Sequence, residues 1–358
     1  MHSVSLHQRL MHDLTVIGVG CSRPQRVNLA GLSQALAFAS NCHLATLALG
    51  LPFAGQRENL VQRLRRFFKT EQLHPLDCYG PLVKHLFRQW PDREVNLVMD
   101  RTDLEHRLSI LALGAAYQKR LVPLVWQVLT YGSSSADEQL ALLQWVQPYL
   151  PSQWPVRINF YGDCEFRAVA VQEFCQKAGW HWQVGLKSDL YFRRPDGSWQ
   201  TLAALALQRG ERRYLQAVYL NQLHPFGPVN LIANWAPRQD APRYWALDLP
   251  ANAQAWRWGR KRYWIEPTFR DWKSYGFDLE GSKIDDPDRL NVLLLGLALT
   301  TVWMIHVGEW LVRTGRRQEL TPPDKADYSL FRLGRDYLQR ARTLEQRIPV
   351  GFTVGTPT

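Results

Sequence analysis

The chain has 358 residues, of which 46% are apolar, so it can bury a large core and is not a disordered protein. Its formal charge of +11 at pH 7 favours a polyanionic partner. Because the basic residues are scattered rather than gathered on one amphipathic face, nucleic acid is favoured over a membrane surface. Five cysteines, an odd number without C-x-x-C spacing, indicate neither a disulfide framework nor a zinc knuckle.

Residues 1–92 are predicted to form a helical DNA-binding domain. Helical patterns at 28–40, 42–49 and 58–70 are separated by proline and glycine, and residues 1–90 carry ten Lys and Arg against four Asp and Glu. In the third pattern the apolar residues recur at core spacing, which leaves Arg63 and Arg66 as candidates for contact with DNA. Because no helix-turn-helix signature is evident, a helical subdomain with a solvated basic face is the alternative.

The pattern changes at residue 93 to strands that alternate with helices. Apolar runs at 95–99, 108–116 and 121–130 predict a three-stranded meander, which is followed by a helix at 137–150 and a strand at 155–160. A helix at 165–178 and a strand at 181–187 complete the order βββαβαβ. Acids follow the first and fourth strands of this predicted α/β region, 93–187.

Residues 188–251 are rich in Pro, Gly and Trp, and β-like segments at 214–220, 229–234 and 244–248 predict a β-rich insertion. The α/β core is predicted to resume at 252–308, with a helix that bears Glu266 and a buried helix at 289–305. The apolar run Val292–Ile305 of this last helix is too short to span a bilayer. Residues 309–358 are predicted to be a C-terminal helical region, with helices at 307–314 and 329–347 and a proline-rich break at 321–324.

Three acids stand in distinctive contexts. Asp100 opens D-R-T-D after the first apolar run, Asp163 begins D-C-E-F after the fourth strand, and Glu266 lies in I-E-P-T-F-R-D-W-K-S-Y-G-F. Taken singly, an Asp at a strand end more often marks a turn or a helix cap. Together they suit phosphodiester chemistry, which uses two divalent cations bound by carboxylate oxygens.

Cations surround Glu266 on the predicted helix. Arg262 and Arg270 lie four residues before and after it, and Lys273 lies seven after, so all three share its helical stripe. This pattern suits a site that handles phosphate, and an exposed helix with ion pairs is the alternative. Pro267 predicts that Glu266 lies at a kink or in a first turn.

The spacing R-x3-E-x6-K, together with the two Asp motifs, resembles the DDE transposases of the insertion sequence 4 family over residues 93–308. The resemblance implies an α/β fold: a ribonuclease-H-like catalytic core with a β-rich insertion, plus helical N-terminal and C-terminal regions. It implies that Asp100, Asp163 and Glu266 bind two Mg²⁺, for which Mn²⁺ can substitute, and that Arg262 and Lys273 grip phosphates.

Further expectations follow from the resemblance. Arg270 is an additional candidate for DNA contact, and Trp245 is the candidate for stacking on a flipped base during cleavage through a hairpin, with a core tryptophan as the alternative. The family has a tyrosine three residues before the arginine, where this chain has Gly259. Asp103 and Glu165 are left out of the metal set, because Asp103 faces away from Asp100 on a strand and Glu165 suits a helix N-terminus.

The sequence therefore predicts a DNA transposase that binds transposon ends, cleaves them and joins the 3′-hydroxyl ends to target DNA. Its partner is double-stranded DNA, with a homodimer in the DNA complex and no membrane. We expect a cytoplasmic, nucleoid-associated bacterial protein, because no charged segment followed by an apolar one opens the sequence. The alternatives are a catalytically silent, domesticated transposase that acts as a DNA-binding protein, and a sequence-nonspecific nuclease; the three intact acids favour the transposase.

Overall fold

A computed structural model of the protein describes residues 2–151, 156–322 and 328–355. Five helices come first: α1 (His2–Ile17), α2 (Arg23–Phe38), α3 (Leu44–Gly50), α4 (Arg57–Phe68) and α5 (Pro75–Arg88). The three predicted N-terminal helices are confirmed as α2, α3 and α4, with shifted bounds. Helices α1 and α5 were not predicted from the sequence. Pro75 stands in the first turn of α5, where proline is tolerated, but Pro81 lies inside the helix and disguises it.

The α/β core has a ribonuclease-H-like topology. Its strands are β1 (Glu94–Leu104), β2 (Leu108–Tyr117), β3 (Arg120–Thr130), β4 (Arg157–Gly162) and β5 (His181–Leu186), in the sheet order β3-β2-β1-β4-β5. The first three strands are antiparallel, whereas β4 runs parallel to β1 and β5 parallel to β4. Helices α6 (Ala136–Val146) and α7 (Val169–Lys177) precede the two parallel strands.

Most strands differ from their predicted bounds by one to three residues, and β1 differs most. β1 does not end before Asp100 but continues to Leu104, because β2 pairs with it along this whole length. The strand predicted at 155–160 begins at Arg157, and residue 155 lies outside the described residues.

The insertion extends the same sheet. It comprises β6 (Tyr191–Arg193), β7 (Trp199–Thr201), β8 (Arg212–Leu220), β9 (Phe226–Asn234) and β10 (Arg243–Leu247). β10 pairs antiparallel with β5, and the order β5-β10-β9-β8-β6-β7 makes one ten-stranded sheet. The three predicted segments of the insertion are confirmed as strands, and β6 and β7 were missed because each has only three residues. Core and insertion therefore share backbone hydrogen bonds, which position β10 beside β5.

The segment that bears Glu266 is an irregular helix. It consists of α8 (Ala253–Gly259), a 3-10 stretch (Arg260–Trp264), α9 (Ile265–Arg270) and a π-helical turn (Asp271–Tyr275). Changes of helical pitch of this kind often occur at functional sites.

Helix α10 (Pro287–Arg313) is the central helix of the α-helical part. The prediction of a separate helix at 307–314 is wrong, since α10 continues without a break to Arg313. By length and composition α10 could cross a membrane, with a mean hydropathy of 1.9, but 89% of its most apolar window is buried in the protein. It packs against α2 and α11 (Leu330–Thr343), so the N- and C-terminal helices share one core.

The end of the chain agrees only in part with the prediction. α11 stops at Thr343 rather than continuing to 347, because Glu345 has a positive φ. The predicted break at 321–324 lies partly outside the described residues.

Candidate active site

Asp100 lies in the middle of β1 and is largely buried, with 16% of its side chain exposed. Its Oδ1 accepts a hydrogen bond of 2.9 Å from the backbone N–H of Arg101. Burial raises the pKa of this carboxyl to about 7, the Arg262 guanidinium opposes the rise, and the carboxylates of Asp163 and Glu266 add to it. Burial is therefore the main reason that this carboxyl holds its proton more tightly than an exposed aspartate does.

Asp163 follows β4 directly and caps a single 3-10 turn, where its Oδ1 accepts from the backbone N–H of Glu165 at 2.7 Å. The neighbouring strand β5 approaches this turn closely. A Cβ on Gly185 would meet the backbone nitrogen of Cys164 at 2.8 Å, so only glycine allows this approach. The parallel pairing of β1 with β4 ends at Val98 and Tyr161, and Asp100 and Asp163 each follow two residues later, so both acids lie where this pairing ends.

Glu266 lies in the first turn of α9 and is half-exposed. Of the two positions that Pro267 predicted for it, the first turn is confirmed. Proline is tolerated there because the first N–H groups of a helix have no partner within it.

Arg262 lies between two of the acids. Its Nη1 is 3.6 Å from Oδ2 of Asp100 and 3.6 Å from Oε1 of Glu266. The guanidinium is buried, with 15% of the side chain exposed, and its Nη1 makes no hydrogen bond of normal length. The positive charge of one guanidinium therefore offsets the negative charge of two carboxylates. At 3.6 Å neither contact is a hydrogen bond.

The donor chemistry of the three acids fits a hard divalent cation such as Mg²⁺, which takes carboxylate oxygens and keeps several waters. Within the described ranges, no three His, Cys, Asp or Glu side chains are gathered closely enough to hold a metal ion. The acids are thus neighbours with Arg262 between Asp100 and Glu266, and their assignment as metal ligands stays a prediction.

A second charged network supports the site, and its centre, Arg101, was not predicted from the sequence. Nε of Arg101 donates to both oxygens of Glu165, at 3.1 and 3.2 Å, and Nη1 contacts Asp103 and lies 3.2 Å from Oγ of Ser109. Glu165 also accepts from the backbone N–H and the hydroxyl of Ser134, at 2.7 and 2.6 Å. Arg101 therefore ties β1, which carries Asp100, to the turn that carries Asp163.

These contacts bear on Asp103 and Glu165. Asp103 shares a strand face with Arg101 rather than with Asp100, as predicted. Glu165 serves mainly as the partner of Arg101 and Ser134, which corrects the expected role at a helix N-terminus. The sequence feature that could have indicated this role is the position of Glu165 two residues after Asp163, which brings it close to the strand that carries D-R-T-D.

Two further cations follow Glu266. Nζ of Lys273 donates to the backbone carbonyl of Asp103 at 2.7 Å and lies 2.9 Å from Oε1 of Glu280. Lys273 thus joins the π-helical turn to β1, and its predicted phosphate contact is untested. Arg270 is exposed on the same stripe as Glu266.

Trp245 lies on β10 and is partly buried against a small cluster that includes Ile232 and Trp256. It also lines a cavity of about 820 Å³ beside the irregular helix, whose walls include four cations, Arg243, Arg257, Arg260 and Lys261. Trp245 is partly buried and also borders an open cavity, so its position is compatible with both predicted roles, base stacking and core packing.

Gly259 borders the same cavity. A Cβ at this position would meet Nε2 of the buried Gln183 at 2.2 Å. The space for the tyrosine that the insertion sequence 4 family places here is thus taken by a side chain of β5.

The predicted DNA contacts of the N-terminal helices differ from each other. Arg63 is partly buried: its Nε donates to Oδ1 of Asn28 at 2.7 Å, and its guanidinium lies 3.7 Å from the centre of the Phe53 ring. Arg66 is exposed on the other side of α4 from the buried Leu64. Arg63 therefore has partners within the protein, and Arg66 is the freer of the two cations for a ligand.

A ribonuclease-H-like sheet that brings two aspartates together on adjacent strands, with a glutamate on a following helix, matches the architecture of a transposase catalytic domain. The family model described as "Transposase DDE domain" matches residues 97–303, which is more than half of the chain. The chain therefore belongs to this family and is a DDE transposase.

Comparisons with individual proteins are more distant. The chain is similar to the piggyBac transposase in a cryo-EM structure of its synaptic complex with hairpin DNA. The TM-score is 0.44 at 8% sequence identity, over 95% of this chain and 79% of that chain. A comparison with curated proteins gave no match.

Proposed function

We propose that this DDE transposase is of the insertion sequence 4 type and that it binds transposon ends, cleaves them and joins their 3′-hydroxyl ends to target DNA. The observation that carries the proposal is the convergence of Asp100, Asp163 and Glu266. Nη1 of Arg262 lies 3.6 Å from carboxylate oxygens of both Asp100 and Glu266, and Asp163 directly follows β4, the strand that pairs with the strand of Asp100.

Asp100, Asp163 and Glu266 would hold Mg²⁺, for which Mn²⁺ can substitute. When bound, such cations activate the attacking oxygen and stabilise the leaving oxygen of the phosphodiester. The backbone N–H groups of Arg101 and Glu165 orient the two aspartates by hydrogen bonds at 2.9 and 2.7 Å. Because these hydrogen bonds form without DNA and β1 pairs with β4, the two carboxylates would be oriented before DNA arrives.

Arg262 would balance the carboxylate charge and then turn to a phosphate next to the scissile bond. A guanidinium suits this role because it stays charged and presents several donors in one plane. Lys273 would keep the π-helical turn against β1, which sets the position of the helix that bears Glu266.

The cavity beside Trp245 would receive an unstacked base if excision passes through a DNA hairpin. Base stacking on an aromatic ring and a cationic rim suit a single nucleotide that leaves the duplex. Since a transposon has two ends that must be cut and joined together, we propose a homodimer in the DNA complex, and we place the protein in the bacterial cytoplasm at the nucleoid.

The experiment is a cleavage assay with Mg²⁺ and a labelled duplex taken from inverted repeats that flank the gene. Nicks, hairpins or joined products are expected from the unaltered protein. Asp100→Ala, Asp163→Ala and Glu266→Ala should each abolish cleavage but retain end binding, because binding depends mainly on phosphate contacts elsewhere.

Glu105→Ala is the matched control, since Glu105 is an exposed acid just beyond β1 and should leave cleavage unchanged. Cleavage that survives all three Ala variants would contradict the assignment. Binding without any cleavage by the unaltered protein would instead favour the catalytically silent alternative.

A further inference from the structure

A groove of about 600 Å³ lies between α11 and the helical segment that follows Glu266. Its lining includes four arginines from three parts of the chain: Arg120 at the start of β3, Arg270 at the end of α9, and Arg332 and Arg335 on α11. Neither Arg332 nor Arg335 belongs to the cations that the sequence singled out. We call this feature the α11 groove.

The charges of the α11 groove do not cancel. Asp271 lies 2.8 Å from Nε of Arg120, and Asp336 lies 3.6 Å from Nε of Arg332. Arg270 and Arg335 form no ion pair in the part of the chain that the structure describes. The groove therefore carries a net positive charge.

Asp271 braces one wall of the groove through Arg120, whereas Asp336 is 42% exposed beside Arg332. Asp271 is 15% exposed at its side chain, and Arg335 donates to the backbone carbonyl of Tyr275, which holds its guanidinium at the groove. Arg332 is 60% exposed, with its guanidinium 4.2 Å from the centre of the Tyr328 ring and its Nε 3.6 Å from Asp336. Exposed arginines on a braced wall are suited to several phosphates in a row, because a planar guanidinium can bind phosphate through two hydrogen bonds.

The α11 groove adjoins the candidate active site. Pro267, the residue after Glu266, lines it, and Arg270 lies one helical turn beyond Glu266 on the same stripe. Tyr275, with 70% of its surface exposed, lines the groove as well. A strand that passes Glu266 would therefore meet this groove next.

We propose that the α11 groove binds the sugar–phosphate backbone of the DNA duplex next to the scissile phosphate, with Arg332 and Arg335 of the C-terminal helix as contacts. The inference rests on the proposed function for the choice of DNA as the ligand. It gives the C-terminal helical region a part in DNA binding that is separate from catalysis.

The test is the salt dependence of binding to a duplex, measured by fluorescence anisotropy with Arg332→Gln, Arg335→Gln and the double variant. Each lost phosphate contact should reduce the slope of log K against log salt by about one, so the double variant should lose about two. Lys177→Gln removes one exposed cation at the end of α7 and is the matched control. It should retain the slope of the unaltered protein.

Arg335→Lys keeps the charge and should restore most of the slope that Arg335→Gln loses. Thermal melting of each variant checks that the fold is retained. Slopes of the Gln variants equal to that of the unaltered protein would overturn the proposal.

The measurement is independent of cleavage, which separates this proposal from the proposed function. It is repeated in the Asp100→Ala background, where cleavage does not interfere. If the unaltered protein never cuts DNA and the Gln variants still reduce the slope, the catalytic proposal fails and the α11 groove stands. If cleavage occurs and the slopes are all equal, the proposal for the α11 groove fails and the catalytic proposal stands.

Discussion

Arg262→Gln offers a test of the site that needs no DNA. The guanidinium Nη1 lies 3.6 Å from Oδ2 of Asp100, and both side chains are largely buried, 15% and 16% exposed. At an effective dielectric constant of about 20, Coulomb's law gives about 5 kcal/mol for unit charges at this separation, before desolvation is subtracted. The contact with Glu266 adds less, because that carboxylate is half-exposed and screened by solvent.

Loss of the arginine should leave a buried carboxylate without its partner, at a cost of about 3–5 kcal/mol in the free energy of unfolding. Urea melts in alkaline buffer, where Asp100 is ionised, measure this cost. Asp100→Asn in the same background should return part of it, a coupling energy of about 1–3 kcal/mol. Arg260→Gln, an exposed cation two residues away, is the control and should change stability little.

An equal cost of Arg262→Gln with asparagine and with aspartate at position 100 would contradict an ion pair between Arg262 and Asp100. Arg262 would then stabilise the protein through packing, for instance against Tyr263, whose ring centre lies 4.7 Å away. Equal effects of Arg262→Gln and Arg260→Gln would contradict this ion pair as well.

Two further predictions concern the cavity beside the irregular helix. Trp245→Ala should slow hairpin formation about ten- to a hundredfold and spare nicking, while Trp245→Phe retains much activity, since stacking contributes about 1–3 kcal/mol per base. A lowered melting temperature with uniformly poor chemistry would instead assign Trp245 to packing. Gly259→Ala should destabilise the protein by about 1–3 kcal/mol, because its Cβ would meet Gln183. Gln183→Ala should relieve this in a denaturant melt, and additive effects of the two changes would contradict the clash.

The five core strands could be predicted because each contains an apolar run, and the hairpin pairs β1–β2 and β2–β3 are local in the chain. The pairing of β1 with β4 is not local, since Leu97 is opposite Phe160, and it was expected only from the family resemblance. The joining of core and insertion into one sheet could not be predicted in this way. It depends on the pairing of β10 with β5, whose residues Trp245 and Gly185 are opposite each other but sixty positions apart. Alternation of side chains specifies which face a strand buries but not which strand it pairs with.

The acids of the site could be identified from their motifs, whereas the partners of the cations could not. The stripe that holds Arg262 and Lys273 predicts only that they lie on one side of a helix. Whether that side meets solvent or β1 depends on how the helix packs. In the structure Lys273 donates a hydrogen bond to the backbone carbonyl of Asp103, so one of its N–H groups binds the protein itself, whereas a phosphate contact was expected.

Arg101 shows why the two aspartate motifs have their particular form. Asp100 and Arg101 point to opposite faces of β1. The side chain of Asp100 is therefore on the face of the candidate site, and that of Arg101 contacts Glu165 on the opposite face. Glu165 follows Asp163 by two residues, and its backbone N–H orients that aspartate while its carboxylate holds Arg101 and Ser134. Each motif thus contains one candidate site residue, Asp100 or Asp163, and one residue that holds the motif in place, Arg101 or Glu165. The ion pair between Arg101 and Glu165 joins the two motifs across the sheet.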